Sequence, residues 1–96
     1  KSIMQEKDGR CYLCMLLHND YSAKHVQEHH VIFGRANRKL SEKYGLKVYL
    51  CIWHHTEGPE AVHKSAEIAK ILKVLAQRTF RKVFPELDWL SIRKEL

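Results

Sequence analysis

The sequence predicts a small α+β domain, a β-hairpin with one long helix, preceded by a cysteine knuckle and closed by a short C-terminal helix. Three observations predict it. Two runs rich in β-branched and aromatic residues, 26–33 and 47–53, flank a polar stretch and read as a strand pair. From Ile68 onward an apolar residue recurs every three to five positions, which is one face of an amphipathic helix. Finally, Cys11-Tyr12-Leu13-Cys14 follows a polar turn, the usual setting of a zinc knuckle. The 96 residues fit one domain, 1–96, and leave little room for a second core.

Taken in order, residues 1–3 precede Met4 and carry no weight in the fold reading. Lys7-Asp8-Gly9-Arg10 is a polar turn leading into the knuckle. The first strand, 26–33, stops at Gly34. Residues 35–43 are polar and basic, with Asn37 and Ser41, and read as an exposed loop with at most one helical turn. Gly45 precedes the second strand, 47–53, so the two strands form a hairpin with a long basic connection. Gly58-Pro59-Glu60 marks a helix start, because Pro suits the first turn and Glu the positive end of the dipole. Along 61–84, Ile68, Leu72, Leu75, Phe80 and Val83 face inward, while Lys64, Lys70, Lys73, Arg78 and Lys82 carry basic charge. Pro85 ends this helix by disfavouring a helical conformation at Phe84. A short helix over 86–96 closes the chain, with Leu87, Trp89 and Leu90 packing inward.

An apolar fraction of 45% with 9% aromatic residues excludes a disordered tail. No apolar stretch is long enough to span a bilayer and no secretory pattern opens the chain, so a cytoplasmic, membrane-free protein is expected. The net charge of +6 and pI near 9.4 invite a polyanion partner, although charge alone is weak evidence. Three cysteines, an odd number, argue against a closed disulfide framework. Seven histidines, most of them between His25 and His63, are the feature that needs explaining.

Cys11 and Cys14 pair naturally with Cys51-Ile52-Trp53-His54. Two knuckles of two ligands each give a tetrahedral Cys3His set, Cys11, Cys14, Cys51 and His54, that uses every cysteine. Such a closed set suits a structural Zn2+. The alternative is that the cysteines are small buried hydrophobes. Of the remaining histidines, His18 and His25 sit in polar surroundings and read as surface residues. His29 and His30 lie on the first strand, His55 after the second, and His63 at the start of the long helix, so a hairpin packed on that helix brings them together. Solvated or core histidines are the competing account. Strand alternation places His29 and His30 on opposite faces, so both serve one site only where the strand end is twisted or bulged.

The stretches Glu28-His29-His30-Val31-Ile32-Phe33-Gly34 and Leu50-Cys51-Ile52-Trp53-His54-His55 resemble the HNH endonucleases, also called ββα-metal or His-Me finger nucleases, and within them the small phage-type members. The resemblance spans roughly Cys11 to His63, about half the chain. It implies a ββα-metal core and a metal-dependent DNA endonuclease that leaves 5′-phosphate and 3′-hydroxyl ends, in a bacterial host cell if phage-encoded. By resemblance His29 is a ligand of the catalytic metal, His30 the general base, His55 a second ligand, and His63 a less firmly matched third. This chain departs from the pattern twice. His54 replaces a knuckle cysteine, and Leu46 or Lys47 stands where the family's middle Asn is expected, leaving Asn37 and the Leu46 carbonyl as candidates to orient His30.

Phosphodiester hydrolysis needs an activated water and stabilisation of charge on the phosphoryl group. An imidazole is an apt base near neutral pH. The family resemblance suggests Mg2+ or a transition metal, whereas an all-histidine ligand set favours Zn2+, Ni2+ or Mn2+. Arg35, Arg38 and Lys39 follow the His-His strand and suit phosphate contacts, unless they are simply a solvated basic loop. The rival functions are a non-catalytic zinc-finger DNA-binding module and a structural zinc module for protein contact.

Overall fold

Two antiparallel strands organise the chain, and the described candidate site residues are placed relative to them. The computed structural model describes residues 1–32 and 37–94. Its elements are α1 (Tyr12–His18), β1 (Val26–His30), α2 (Asn37–Tyr44), β2 (Lys47–Cys51), a π-helical turn (Trp53–Glu57), α3 (Ala66–Val83) and α4 (Trp89–Lys94). The strands pair in unbroken register from Val26↔Cys51 to His30↔Lys47. The expected hairpin and long helix are present, with a Cys3His cluster near the N-terminus.

The knuckle turn forms because Asp8 Oδ1 accepts the Arg10 N–H at 3.2 Å and Gly9 supplies a left-handed backbone, φ 81°. Cys11 then caps α1, its Sγ accepting the Cys14 N–H at 3.4 Å, and Asn19 ends it in a left-handed conformation. Residues 1–3 do contribute to the fold, contrary to the sequence reading. Ile3 N–H donates to the Gly45 carbonyl at 2.9 Å, and the Ser2 hydroxyl donates to the Lys47 carbonyl. Gly45 has φ 70°, and a side chain there would run into the Lys1 carbonyl.

The connection between the strands is more ordered than expected. Where a loop with one helical turn is predicted, α2 runs for 8 residues. A buried hydroxyl explains its docking: Ser41 Oγ donates to the Ile32 carbonyl at 2.9 Å and accepts the Ile32 N–H at 3.1 Å. Those bonds satisfy buried backbone groups just past the end of β1 and fix α2 against it. β1 ends at His30 and β2 at Cys51, both sooner than predicted; Ile52 and Trp53 are exposed and lead into the π-helical turn.

The long helix begins later than the Gly-Pro-Glu signal suggests. Ser65 caps it by accepting the Ile68 N–H at 3.3 Å, with Glu67 in the first turn. Pro59 and His63 belong to the turn before it. Ile68, Ala69, Leu72, Ala76 and Phe80 form the buried stripe, whereas Leu75 is half-buried and Val83 exposed. Phe80 packs its ring 5.2–5.3 Å from those of Tyr44, Phe84 and Trp89. In α4 the inward residues are Trp89 and Ile92, three apart on one face, while Leu87 and Leu90 point outward. Among the described residues no helix is long and apolar enough to cross a membrane.

Candidate metal centres

The first cluster is Cys11, Cys14, Cys51 and His54, all buried. Helix α1 presents Cys14 from its first turn, β2 ends on Cys51, and the π-helical turn swings His54 back beneath them. The His54 Nδ1 lies 3.7, 3.3 and 3.5 Å from the sulfurs of Cys11, Cys14 and Cys51, and the sulfurs of Cys14 and Cys51 are 3.8 Å apart. A tetrahedral zinc with ordinary bond lengths requires ligand separations of about 3.5 Å from sulfur to nitrogen and about 3.8 Å between sulfurs. The donor set therefore fits that ion in both chemistry and size.

Electrostatics also favour a cation here. Burial, reinforced by the Cys11 thiol, pushes the Cys14 thiol up to about 12. Burial opposes ionisation of Cys51 as well, yet the backbone N–H groups of His54 and Trp53 and the two neighbouring thiols hold it below the usual thiol range. A bound divalent ion removes the penalty of gathering thiolates in one place. On its far side, His54 directs Nε2 towards Glu60, 3.6 Å away, and that carboxylate accepts from His18 Nε2 at 2.8 Å. His18 is exposed as expected, but it is also tied to the back of this cluster. His25 is exposed.

The second cluster is His29, His55 and His63, each with one ring nitrogen within 4.8 Å of the others. Their ring centroids are 4.9–5.3 Å apart. Nε2 of His55 and Nε2 of His63 lie 3.2 Å apart. His55 uses Nδ1 to donate to the Gln27 side-chain oxygen at 2.8 Å, which turns Nε2 towards the cluster. Backbone bonds close the arrangement: Val62 N–H donates to the His54 carbonyl at 2.8 Å and His63 N–H to the His55 carbonyl at 3.4 Å. The position expected for His63 on the long helix is corrected, since the turn before α3 delivers it instead.

His29 is 3% exposed, and its pKa is lowered to about 3 by burial first, then by the neighbouring His55, His63 and His30. Burial and His63 also lower that of His55. Neutral imidazoles gathered around one point are competent metal ligands.

His30 faces the other way. The ladder carries no bulge through His30↔Lys47, so side chains alternate along β1 and His30 leaves it on the face opposite His29. His30 Nε2 lies 2.8 Å from Glu42 Oε2 and 3.7 Å from Glu28 Oε1. Lys47, 4% exposed, places its ammonium 3.0 Å from Glu42 and 3.4 Å from Glu28. The hydrogen bond from His30, then that from Lys47, lowers the Glu42 carboxyl to about 2. Burial works against the Lys47 ammonium, but its bonds to Glu42 and Glu28 outweigh that and hold its pKa above the ordinary value.

His30 and the histidine cluster each border an open cleft with a basic rim. One, about 470 Å3, is lined by Glu28, His30, Arg38, Lys39 and Glu42. The other, about 380 Å3, runs past His63 with Lys64 and Lys73 on its walls. Arg38 and Lys39 thus sit beside His30 as expected; Arg35 lies outside the described residues, as does the side chain of Asn37. The Leu46 carbonyl, expected as a support for His30, instead accepts the Val31 N–H at 2.9 Å. Glu42 escaped the sequence reading because it stands alone among cations in a segment taken for a loop. No protein-family model, curated protein or solved structure matches the chain.

Proposed function

We propose that this chain is a metal-dependent DNA endonuclease that hydrolyses or nicks phosphodiester bonds. The observation that carries the reading is the convergence of His29, His55 and His63 on one point at the end of a strand whose next residue is His30. Cys11, Cys14, Cys51 and His54 would hold a structural zinc, while the three histidines would hold a second divalent ion. When bound, that ion would polarise a phosphoryl oxygen and offset charge on the leaving oxygen. His29 and His30 leave β1 on opposite faces, so a substrate phosphate would lie across the strand end, reached from both sides. His30 accepts the proton of the attacking water. Arg38 and Lys39 steady the phosphodiester backbone, and Lys64 and Lys73 extend the basic track on the other face.

The test is nicking of supercoiled plasmid with added Mn2+, Ni2+, Zn2+ or Mg2+. The parent is expected to nick with at least one of these ions, and His30→Ala to lose at least ~100-fold in rate, the scale of general-base catalysis. A His30→Ala protein that folds, binds metal and nicks at the parental rate sinks the base assignment. The opposed faces of His29 and His30 favour one other reading, a non-catalytic zinc-finger DNA-binding module with two structural metals. That reading takes over if the parent binds DNA but nicks it with none of the four ions.

A further inference from the structure

We propose that Glu42 is the positioning residue of His30, holding its ring as the Nε2–H tautomer so that Nδ1 is the nitrogen left to accept a proton. An ionised carboxylate can only accept hydrogen bonds. At 2.8 Å from Glu42 Oε2, the His30 Nε2 must therefore carry the hydrogen, and the other ring nitrogen becomes the acceptor. Glu42 is itself held in place. Its second oxygen takes the Lys47 ammonium at 3.0 Å, and Lys47 stands directly across the ladder from His30.

This pairing also gives the buried lysine a purpose. An ammonium 4% exposed is costly unless its charge is answered, and here Glu42 and Glu28 answer it together. The neighbouring Ser41, bonded twice to the Ile32 backbone, delivers Glu42 to the strand end. Glu42 is itself exposed, so these contacts, and not burial, hold its carboxylate at the strand end. The chain from Lys47 through Glu42 to His30 thus links β2, α2 and β1 at one corner. Its consequence for rate rests on the nuclease reading, whereas its consequence for the tautomer does not.

The experiment compares the zinc-loaded parent with Glu42→Gln and Glu42→Asp, reading the His30 ring nitrogens by long-range proton–nitrogen NMR alongside plasmid nicking and thermal melting. The parent should show Nε2–H. In Glu42→Gln the Lys47 ammonium, which can only donate, claims the single amide oxygen. The amide NH2 then faces Nε2 and drives the ring to Nδ1–H. Its kcat should fall at least ~10-fold with KM little changed, the usual scale for losing an outer-shell partner. Glu42→Asp, which keeps the carboxylate, should retain Nε2–H and recover much of the rate. An Nδ1–H ring in the parent, or the same tautomer in the parent and Glu42→Gln, overturns the proposal. If Glu42→Gln does not fold, loss of Nε2–H in a folded Glu42→Asp overturns it instead. A parent that nicks no DNA removes the nuclease reading, and the ring spectrum alone then judges Glu42.

Discussion

The two clusters share one turn of backbone and differ in nearly everything else. In the Cys3His cluster all four ligands are buried, the donors are mostly sulfur, and Glu60 and His18 close its back. In the histidine cluster burial is graded, from His29 in the core through half-buried His55 to exposed His63. Four buried ligands leave no position for a substrate, whereas a three-ligand set whose outer member reaches solvent leaves one open. Under the proposed function, the first cluster would hold the fold together and the second would be available for chemistry.

Removing a sulfur should break this contrast most severely. Cys14→Ser is expected to abolish tight zinc binding and lower Tm by ~15 °C or more, since a structural zinc carries several kcal/mol of folding free energy. Differential scanning fluorimetry with metal analysis checks it; an unchanged Tm would show that the cluster is not structural. His55→Ala should sharpen the contrast. It is expected to remove the more exchangeable metal and cut nicking at least ~100-fold, while Tm of the zinc-loaded form moves by only a few degrees. Equal loss of both metals in that variant would mean the clusters are not separable.

Acidity gives a smaller and continuous effect. In the metal-free histidine cluster, His29 protonates near 6.5 when unfolded but only near 3 when folded. The unfolded chain therefore takes up a proton that the folded chain refuses, and stability falls as pH drops from 6.5 towards 3. The slope approaches about 1.4 kcal/mol per pH unit within that window. Chemical denaturation at a series of pH values tests this, and His29→Gln should flatten the profile. The smallest expected effect is at the rim. Lys39→Ala should weaken DNA binding severalfold and reduce the slope of log K against log salt by about one. A salt slope identical to the parent would place Lys39 away from the phosphates.

The strands and the four zinc-site residues were legible because each leaves a local mark, β-branched runs in one case and two-residue spacers in the other. The helix face was legible at Ile68, Leu72 and Phe80, but Pro59 drew its start forward past Ser65, whose capping hydroxyl is the real signal. Helix α2 announces itself by only two apolar residues, Leu40 and Tyr44, and the buried hydroxyl of Ser41 adds the rest of its docking. In the closing segment the sequence offered Leu87, Trp89 and Leu90, and the fold kept Trp89, packed on the Phe80 ring, and buried Ile92 in place of the two leucines. The meeting of His29, His55 and His63 was foreseen as a convergence of elements. The pairing of His30 with Glu42 was not, since it depends on a tertiary corner that no spacing rule encodes.

The π-helical turn places His54 and His55 at consecutive positions, one in each cluster. If sulfur ligands closing around a zinc fix residue 54, they also fix the backbone of residue 55, and the two sites would then have an order of maturation. Zinc captured by the thiolates would come first, and only then would the imidazoles of His29, His55 and His63 face a common point. A cell's metal supply would thus be sampled twice during biogenesis, first by a selective soft site and then by a permissive harder one. The second ion would be settled by what is available after folding rather than during it.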